Sequence, residues 1–149
     1  MPITEFCIRD VVCGSRDTSV ASAAALMRHR HVGNVIVIDQ VGEKRVPVGI
    51  VTDRDIVVDV VAPGLDPKLI KLGDLVLGPL TTIEEGASDA ETVRRLSIKG
   101  VRRMPVVDTA GGLVGIITLD DMLRQLAAPL AALSELASRS RRYEALTRT

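Results

Sequence analysis

Two threonine–aspartate pairs are the residues of this sequence with the clearest chemical potential. The first pair is Thr52 and Asp55, and the second pair is Thr118 and Asp121. Each pair lies in the same seven-residue pattern, which is glycine, two β-branched residues, threonine, two variable residues and aspartate. A hydroxyl, a carboxylate and the open N–H groups of a helix start can together hold a sugar or an anion.

Both pairs lie where a strand should end and a helix should begin. The β-branched residues before each threonine favour a strand. Threonine then occupies the position of a helix N-cap, with aspartate at the third helical position. The same residue types also make a capping box, whose role is structural. Each pair is therefore either a binding site or a helix cap, and its duplication favours the binding site.

The elements around the two pairs are also duplicated. Residues 12–39 align with residues 81–108 without a gap, and the two seven-residue patterns follow after turns of different length. We also match the segment 73–76 with the segment 9–12. A β-α-β-β-α unit that occurs twice predicts an α/β (α+β) fold, in which two repeats pack sheet to sheet about a pseudo-twofold axis. The predicted boundaries are 5–64 for the first repeat, 65–126 for the second and 127–149 for a C-terminal helical tail.

Local patterns predict the individual elements. A helix is expected over 19–30, capped by Thr18 or Ser19, and the continuous apolar run 32–39 indicates a strand covered on both faces. Further helices are expected over 53–61 and from Ser88, which forms a capping box with Glu91. In the tail, leucines recur at three-four spacing, and Pro129 should kink the helix or start a new one. This leucine face packs either on its own domain or at a subunit contact.

Composition excludes several classes of function. The formal net charge of the 149 residues is zero, and Phe6 and Tyr143 are the only aromatic residues, so neither a general field for nucleic acid nor a stacking platform is expected. No apolar run approaches the length of a spanning helix and no signal peptide is evident, which predicts a cytoplasmic protein without a membrane partner. Cys7 and Cys13 do not have a metal-binding spacing.

The duplicated elements and pairs resemble the cystathionine β-synthase (CBS) domain pair, also called a Bateman module, over roughly residues 5–126. The resemblance implies a module without catalytic activity that binds adenine nucleotides or adenosyl compounds in clefts between the repeats. It also implies a homodimer that regulates another protein, whose identity the sequence does not give. AMP, ADP or ATP is the expected ligand, with NAD or S-adenosylmethionine as alternatives, and neither a cofactor nor a metal is expected.

The resemblance also assigns roles to individual residues. The ribose and phosphate fall to a polar set, namely Thr52, Asp55, Thr118, Asp121, Arg54, Arg102 and Arg103. The adenine falls to an apolar set, namely Val32, Val101, Met104 and Pro105. The copies differ in charge, because Asp120 replaces the arginine of the first pattern and Gly33-Asn34 occupies the position of the arginine pair. The two clefts should therefore differ in affinity or in ligand.

Two other functions compete with this interpretation. An enzyme could use Asp53, Asp55 and Asp59, or alternatively Asp120 and Asp121, as acid, base or metal ligands. Adjacent aspartates on a helix point in different directions, however, and no histidine, serine or cysteine constellation accompanies them. The alternative we retain is a structural dimerisation scaffold with unoccupied clefts, in which the carboxylates are helix caps.

Overall fold

The computed structural model describes residues 2–148. Six strands form in the order β1 (Cys13–Ser15), β2 (Asn34–Val41), β3 (Lys44–Thr52), β4 (Ile83–Glu84), β5 (Arg103–Val107) and β6 (Leu113–Thr118). Five α-helices are α1 (Val20–Arg30), α2 (Asp53–Ile56), α3 (Leu72–Leu75), α4 (Asp89–Lys99) and α5 (Leu119–Thr147). A 3₁₀ turn at Ile3–Glu5 precedes β1, and a π-helical turn at Val57–Val61 continues α2.

The strands form two three-stranded sheets of the same topology. Their orders are β1-β2-β3 and β4-β5-β6, and in each sheet the first two strands are parallel and the last two antiparallel. The antiparallel register shifts at Val37/Ile38 in one sheet and at Val106/Val107 in the other, which are corresponding positions. The duplicated β-α-β-β-α unit predicted from the sequence is confirmed. Three successive residues of β2, Val35–Val37, are buried, as a strand covered on both faces requires.

The two halves exchange their leading segments. Ile3 is fully buried in the core of the second half, and Leu72, which follows the first repeat, is fully buried in the core of the first half. Both residues begin a short helical turn. The structural equivalents are thus 3–6 and 72–75, and our match of 73–76 with 9–12 is wrong. A buried aliphatic side chain, which that match ignored, is the feature that the two leading turns share.

Two helices begin where the sequence predicts but differ from the prediction in detail. The helix expected over 53–61 is a single α-helical turn followed by a π-helical turn. At α4, the Ser88 hydroxyl accepts a hydrogen bond from the Glu91 N–H at 3.2 Å, so the cap forms. The reciprocal bond of a capping box does not form, because the Glu91 carboxylate pairs with Arg95 at 3.2 Å instead.

Helix α5 continues through Pro129, so no new helix starts there, which was one of the two outcomes that we expected; a kink at Pro129 stays a prediction. The corresponding proline of the first half, Pro63, is followed by Gly64, whose φ of 79° ends the helical path. Leu130 replaces that glycine in the second half, and the chain stays helical to Thr147. The tail predicted from residue 127 is therefore the continuation of α5, and its leucines are exposed and not packed on their own domain.

The glycine of each seven-residue pattern permits a close approach. A Cβ atom at Gly49 would lie 2.5 Å from the Val76 side chain, and one at Gly115 would lie 2.7 Å from the Ile8 carbonyl oxygen. Each glycine therefore allows a leading segment to pack against a strand.

We expect Gly49→Ala to lower the free energy of unfolding by about 1–3 kcal/mol. The stiff side chain of Val76 cannot move aside without shifting the segment that connects α3 to β4. Gly86→Ala is the control, since a Cβ atom there meets nothing within 4 Å. Urea denaturation of both variants measures the difference. Equal stability of the two variants would show that the close approach at Gly49 costs nothing to relieve.

Candidate functional site

A cavity of about 570 Å³ lies between the two halves. The first half contributes the end of β3 and the first turns after it, including Thr52 and Asp55. The second half contributes residues 101–103, and the linker contributes residues 75–81. The volume is in the range of small-molecule sites, which are usually concave and largely apolar with a few placed polar groups.

The first pair is a helix cap that keeps one carboxylate oxygen available. The Thr52 N–H donates to Asp55 Oδ2 at 2.8 Å, and the Asp55 N–H donates to Thr52 Oγ1 at 3.1 Å. Within residues 2–148, no hydrogen bond reaches Asp55 Oδ1. The Asp55 side chain is half-buried on the cavity wall. The cap and the binding site, which the sequence offered as alternatives, are thus compatible in the first pair.

Three arginines line the same cavity from both halves. Arg54 comes from α2. Arg102 lies just before β5, and Arg103 is the first residue of that strand. None of the three guanidinium groups has a hydrogen-bond or ion-pair partner in the part of the chain that the structure describes. Two further carboxylates, Asp53 and Asp59, also line the cavity. Its wall therefore has both the donors that an anion needs and the acceptors that hydroxyl groups need.

The backbone of the second half fixes the positions of Arg102 and Arg103. Helix α4 ends at Gly100, whose φ is 63°, and the chain turns directly into β5. Arg103 then pairs with Thr118 across the β5–β6 ladder, and the Leu119 N–H donates to the Arg102 carbonyl at 2.8 Å. Both arginines are therefore fixed to the second half, opposite the first pair.

The apolar wall of the cavity differs from the one predicted. Of the four residues assigned to the adenine, Val101 lines the cavity. Val32 packs against the core of the first half, and Met104 and Pro105 are buried in β5. These three do not line this cavity, because both faces of β5 are covered and Val32 packs against the first core instead.

Most apolar residues that line the cavity were not predicted from the sequence. They are Val48 and Ile50 of β3, Leu75 of α3, and Val76, Leu77, Pro79 and Leu80 of the linker. Gly78-Pro79 was a turn signal that could have indicated a tight linker crossing the cleft. Val48 and Ile50 precede Thr52 by four and two residues, so the period of two in a strand could have placed them on the same face as Thr52.

The second pair is enclosed, although it has the same cap. The Thr118 N–H and hydroxyl both bond Asp121 Oδ2, at 3.0 and 2.6 Å, and the Arg124 guanidinium bonds Oδ1 at 2.7 Å. Asp121 is 9% exposed, and neither it nor Thr118 lines the cavity. The first half has Val58 at the position of Arg124, so Asp55 has no such internal cation.

The leading segment of the chain also covers the second pair. Ile8 and Ile116 exchange two backbone hydrogen bonds of 2.9 Å, which attaches this segment to the edge of β6. Leu77, which corresponds to Ile8, makes no such bridge among the described residues and is 87% exposed. Asp55 thus faces an open cavity, whereas Asp121 is enclosed by its own helix cap and Arg124, with the Ile8 segment along the neighbouring edge of β6.

Other features of the described residues do not form sites. Within residues 2–148 there is no cluster of three histidine, cysteine, aspartate or glutamate side chains that could hold a metal. In the same range, no helix is long and apolar enough to cross a membrane. Burial raises the pKa of the Cys7 and Cys13 thiols, which therefore stay protonated near neutral pH.

Comparison with known proteins finds the same repeat. The family model of the CBS domain matches residues 3–61 and again residues 72–128. The uncharacterized protein MK0525 of Methanopyrus kandleri is 37% identical over 122 residues, which are 82% of this chain and 61% of that protein. Inosine-5'-monophosphate dehydrogenase of Methanocaldococcus jannaschii is 30% identical over 128 residues, 86% of this chain and 24% of the enzyme. The chain therefore spans less than two thirds of the length of either relative.

Solved structures agree with the fold. Hypoxic Response Protein I, crystallised with two coordinated zinc ions, has a TM-score of 0.72 and 30% identity, and the match covers 83% of this chain and 98% of that chain. The protein PAE2072 of Pyrobaculum aerophilum, solved in complex with AMP, has a TM-score of 0.73 and 22% identity, covering 86% and 99%. At that identity the second likeness concerns the fold alone.

Proposed function

The chain belongs to the CBS-domain family, and on this premise we propose that it is a non-catalytic regulatory module that binds an adenine nucleotide between its two halves. The observation that carries the proposal is the placement of Asp55 and the arginines in one cavity. Asp55 offers a carboxylate oxygen from the first half, and Arg102 and Arg103 offer cations from the second. A ligand with both a diol and a phosphate matches this arrangement.

Each part of a nucleotide has a counterpart on the cavity wall. A carboxylate accepts hydrogen bonds from both hydroxyls of a ribose, and such charge-assisted bonds are stronger than neutral ones. Guanidinium groups bind phosphate through several N–H donors. The base lies against aliphatic residues such as Val48, Ile50 and Val76, because no aromatic side chain lines the cavity. AMP, ADP and ATP fit these requirements, and NAD or S-adenosylmethionine are the alternatives.

We also propose that each chain binds one nucleotide. Asp121, the counterpart of Asp55 in the second half, bonds Thr118 and Arg124 with its two oxygens and is almost fully buried. Ile8 is bridged to β6 beside this pair, whereas its counterpart Leu77 lines the cavity of the first pair without such a bridge among the described residues. A ligand at the second pair would have to displace an ion pair and two backbone hydrogen bonds.

A nucleotide in this cavity can act as a signal because both halves form its wall. The phosphate attracts Arg102 and Arg103 of the second half, while the ribose is held by the first half, so binding favours an arrangement with the halves closer together. A ligand shifts such an equilibrium only by its difference in affinity for the two arrangements. The protein that reads this change is the partner of the module.

One observation favours the scaffold alternative. Both pairs form complete capping boxes, so their threonine and aspartate residues have a structural role without any ligand. In that case the cavity is unoccupied and the module serves as a dimerisation scaffold.

Isothermal titration calorimetry with AMP, ADP, ATP, NAD, S-adenosylmethionine and adenosine tests the proposal. We expect at least one phosphorylated adenine compound to bind with one ligand per chain. At 100 times its dissociation constant it should add about 2.7 kcal/mol to the free energy of unfolding, measured by thermal denaturation. Two ligands per chain would contradict the closed second cleft, and no binding at millimolar ligand would leave the scaffold as the function.

A further inference from the structure

Helix α5 extends beyond the matched repeats and has an exposed apolar face that begins inside the second repeat. The CBS family model ends at residue 128, whereas α5 continues to Thr147. Four leucines, which we call the leucine stripe, lie along this helix, namely Leu123, Leu126, Leu130 and Leu133. Their exposure ranges from 42% for Leu126 to 67% for Leu130. Neighbouring apolar residues of this size on a free surface usually mark an interaction site.

The spacing of the leucine stripe is that of a helix-pairing seam. Steps of three, four and three residues keep the side chains on one narrow face, as the a and d positions of a coiled coil do. Leu119 and Met122 occur one turn earlier, but Met122 is buried in the second half. The stripe therefore begins where α5 leaves its own domain, and it needs a second helix to cover it.

We propose that two copies of this chain pair through the leucine stripe, with their α5 helices antiparallel. An antiparallel register centred at residue 128 puts Leu123 opposite Leu133 and Leu126 opposite Leu130, so the pairing consists of four leucine layers. Ala127 flanks this seam one residue from its centre, so the two copies of Ala127 are offset by two residues, about 3 Å along the helix axis. A small residue there lets the helices approach closely. The stripe is thus complementary to itself, as a twofold interface requires.

Charge decides against the parallel alternative. The last part of α5, including its C-cap, has four arginines (139, 141, 142 and 148) and two glutamates (135 and 144), a net charge of +2, and two of these arginines pair with the glutamates. The first two turns have Asp120, Asp121 and Arg124, a net charge of −1. Parallel helices would bring the arginine-rich ends together, which is repulsive. Antiparallel helices separate these ends and bring each one nearer to the first turns of the other helix, whose net charge is negative. The charge pattern of α5 is therefore complementary to a reversed copy of itself.

The molar mass of the full chain in solution tests the pairing. Multi-angle light scattering after gel filtration should give a dimer for the natural sequence. Leu126→Arg combined with Leu130→Arg places four buried cations in the paired seam and should raise the dimer dissociation constant about 100-fold or more. Leu146→Arg is the control, because Leu146 is exposed but lies outside the stripe. Circular dichroism checks that each variant is folded.

Cross-linking tests the orientation. In a chain with Cys7 and Cys13 replaced by serine, Ala127→Cys should react with a short bis-maleimide to give covalent dimers. The same reagent should leave Ala137→Cys monomeric, because the antiparallel register separates the two copies of residue 137 by 18 residues, about 27 Å. A covalent dimer through residue 137 would overturn the antiparallel arrangement.

Three other outcomes would also overturn the proposal. A monomeric natural chain would exclude pairing, and a monomer that sediments with anionic vesicles would assign the stripe to a membrane surface. A dimer that survives both arginine substitutions would show that the copies meet through another face. Nucleotide binding does not enter these measurements, so they succeed or fail independently of the proposed function.

Discussion

Asp55→Asn is expected to weaken AMP binding about 100-fold or more. The substitution keeps an oxygen that can accept the Thr52 N–H and cap α2, but it removes the charge and replaces the available oxygen with an amide nitrogen, which cannot accept hydrogen bonds from a ribose diol. Hydrogen bonds to a charged group contribute about 1.5–3 kcal/mol each, and both hydroxyl bonds are affected. Isothermal titration calorimetry gives the dissociation constant directly. Unchanged affinity in a folded variant would exclude Asp55 as the ribose acceptor.

Asp121→Asn is the matched control that the duplicated pair provides. Because Asp121 is enclosed by Thr118 and Arg124, its replacement should leave AMP affinity within about threefold. The same change should lower the free energy of unfolding by about 2 kcal/mol, since a buried carboxylate with charge-assisted bonds is lost. Asp55→Asn should cost less, because Asp55 is half-buried and has no ion-pair partner within the described chain. Loss of binding in the Asp121 variant alone would place the site in the second cleft.

The double variant Arg102→Gln, Arg103→Gln is expected to separate nucleotides from nucleosides. We expect its affinity for AMP to fall about 100-fold, because two charged donors to the phosphate are lost. Adenosine has no phosphate, so its affinity should change less than about threefold. Titrations of AMP and adenosine with the natural chain and the variant give all four constants.

Arg94→Gln is the control for a simple loss of charge. Arg94 is exposed on α4 and does not line the cavity. Its removal should leave AMP affinity unchanged at physiological salt, because exposed charges beyond about 8 Å are largely screened. If Arg94→Gln weakened AMP binding as much as the double variant does, the effect would come from the overall charge and not from contacts with the phosphate.

These variants would also explain why the two copies of the pattern differ. Val58 in the first half leaves Asp55 without an internal cation, whereas Arg124 in the second half neutralises Asp121. In the proposed function, one copy keeps a carboxylate for a ligand, and the other uses it to stabilise the start of α5. The residue three positions after the aspartate is one of the differences that distinguish the two copies.

The sequence by itself determined the duplicated fold and half of the candidate site. The β-branched runs, the helix caps and the aligned spacing depend on neighbouring residues, which a linear pattern records directly. For the same reason, the first pair and its three arginines were identified before the structure and lie in one cavity. The ligand-binding role of these residues stays a prediction until the titrations are made.

Only the tertiary structure decided which cleft is open. The two pairs have the same local pattern, but Asp55 lines the cavity between the halves, whereas Asp121 is buried and beside it Ile8 bridges β6 from 108 positions away along the chain. The exchange of Ile3 and Leu72 between the halves, the burial of Met104 and the exposure of the leucine stripe likewise depend on packing. A local pattern records which residues are adjacent in the chain, whereas the free space beside a side chain depends on distant segments that fold against it.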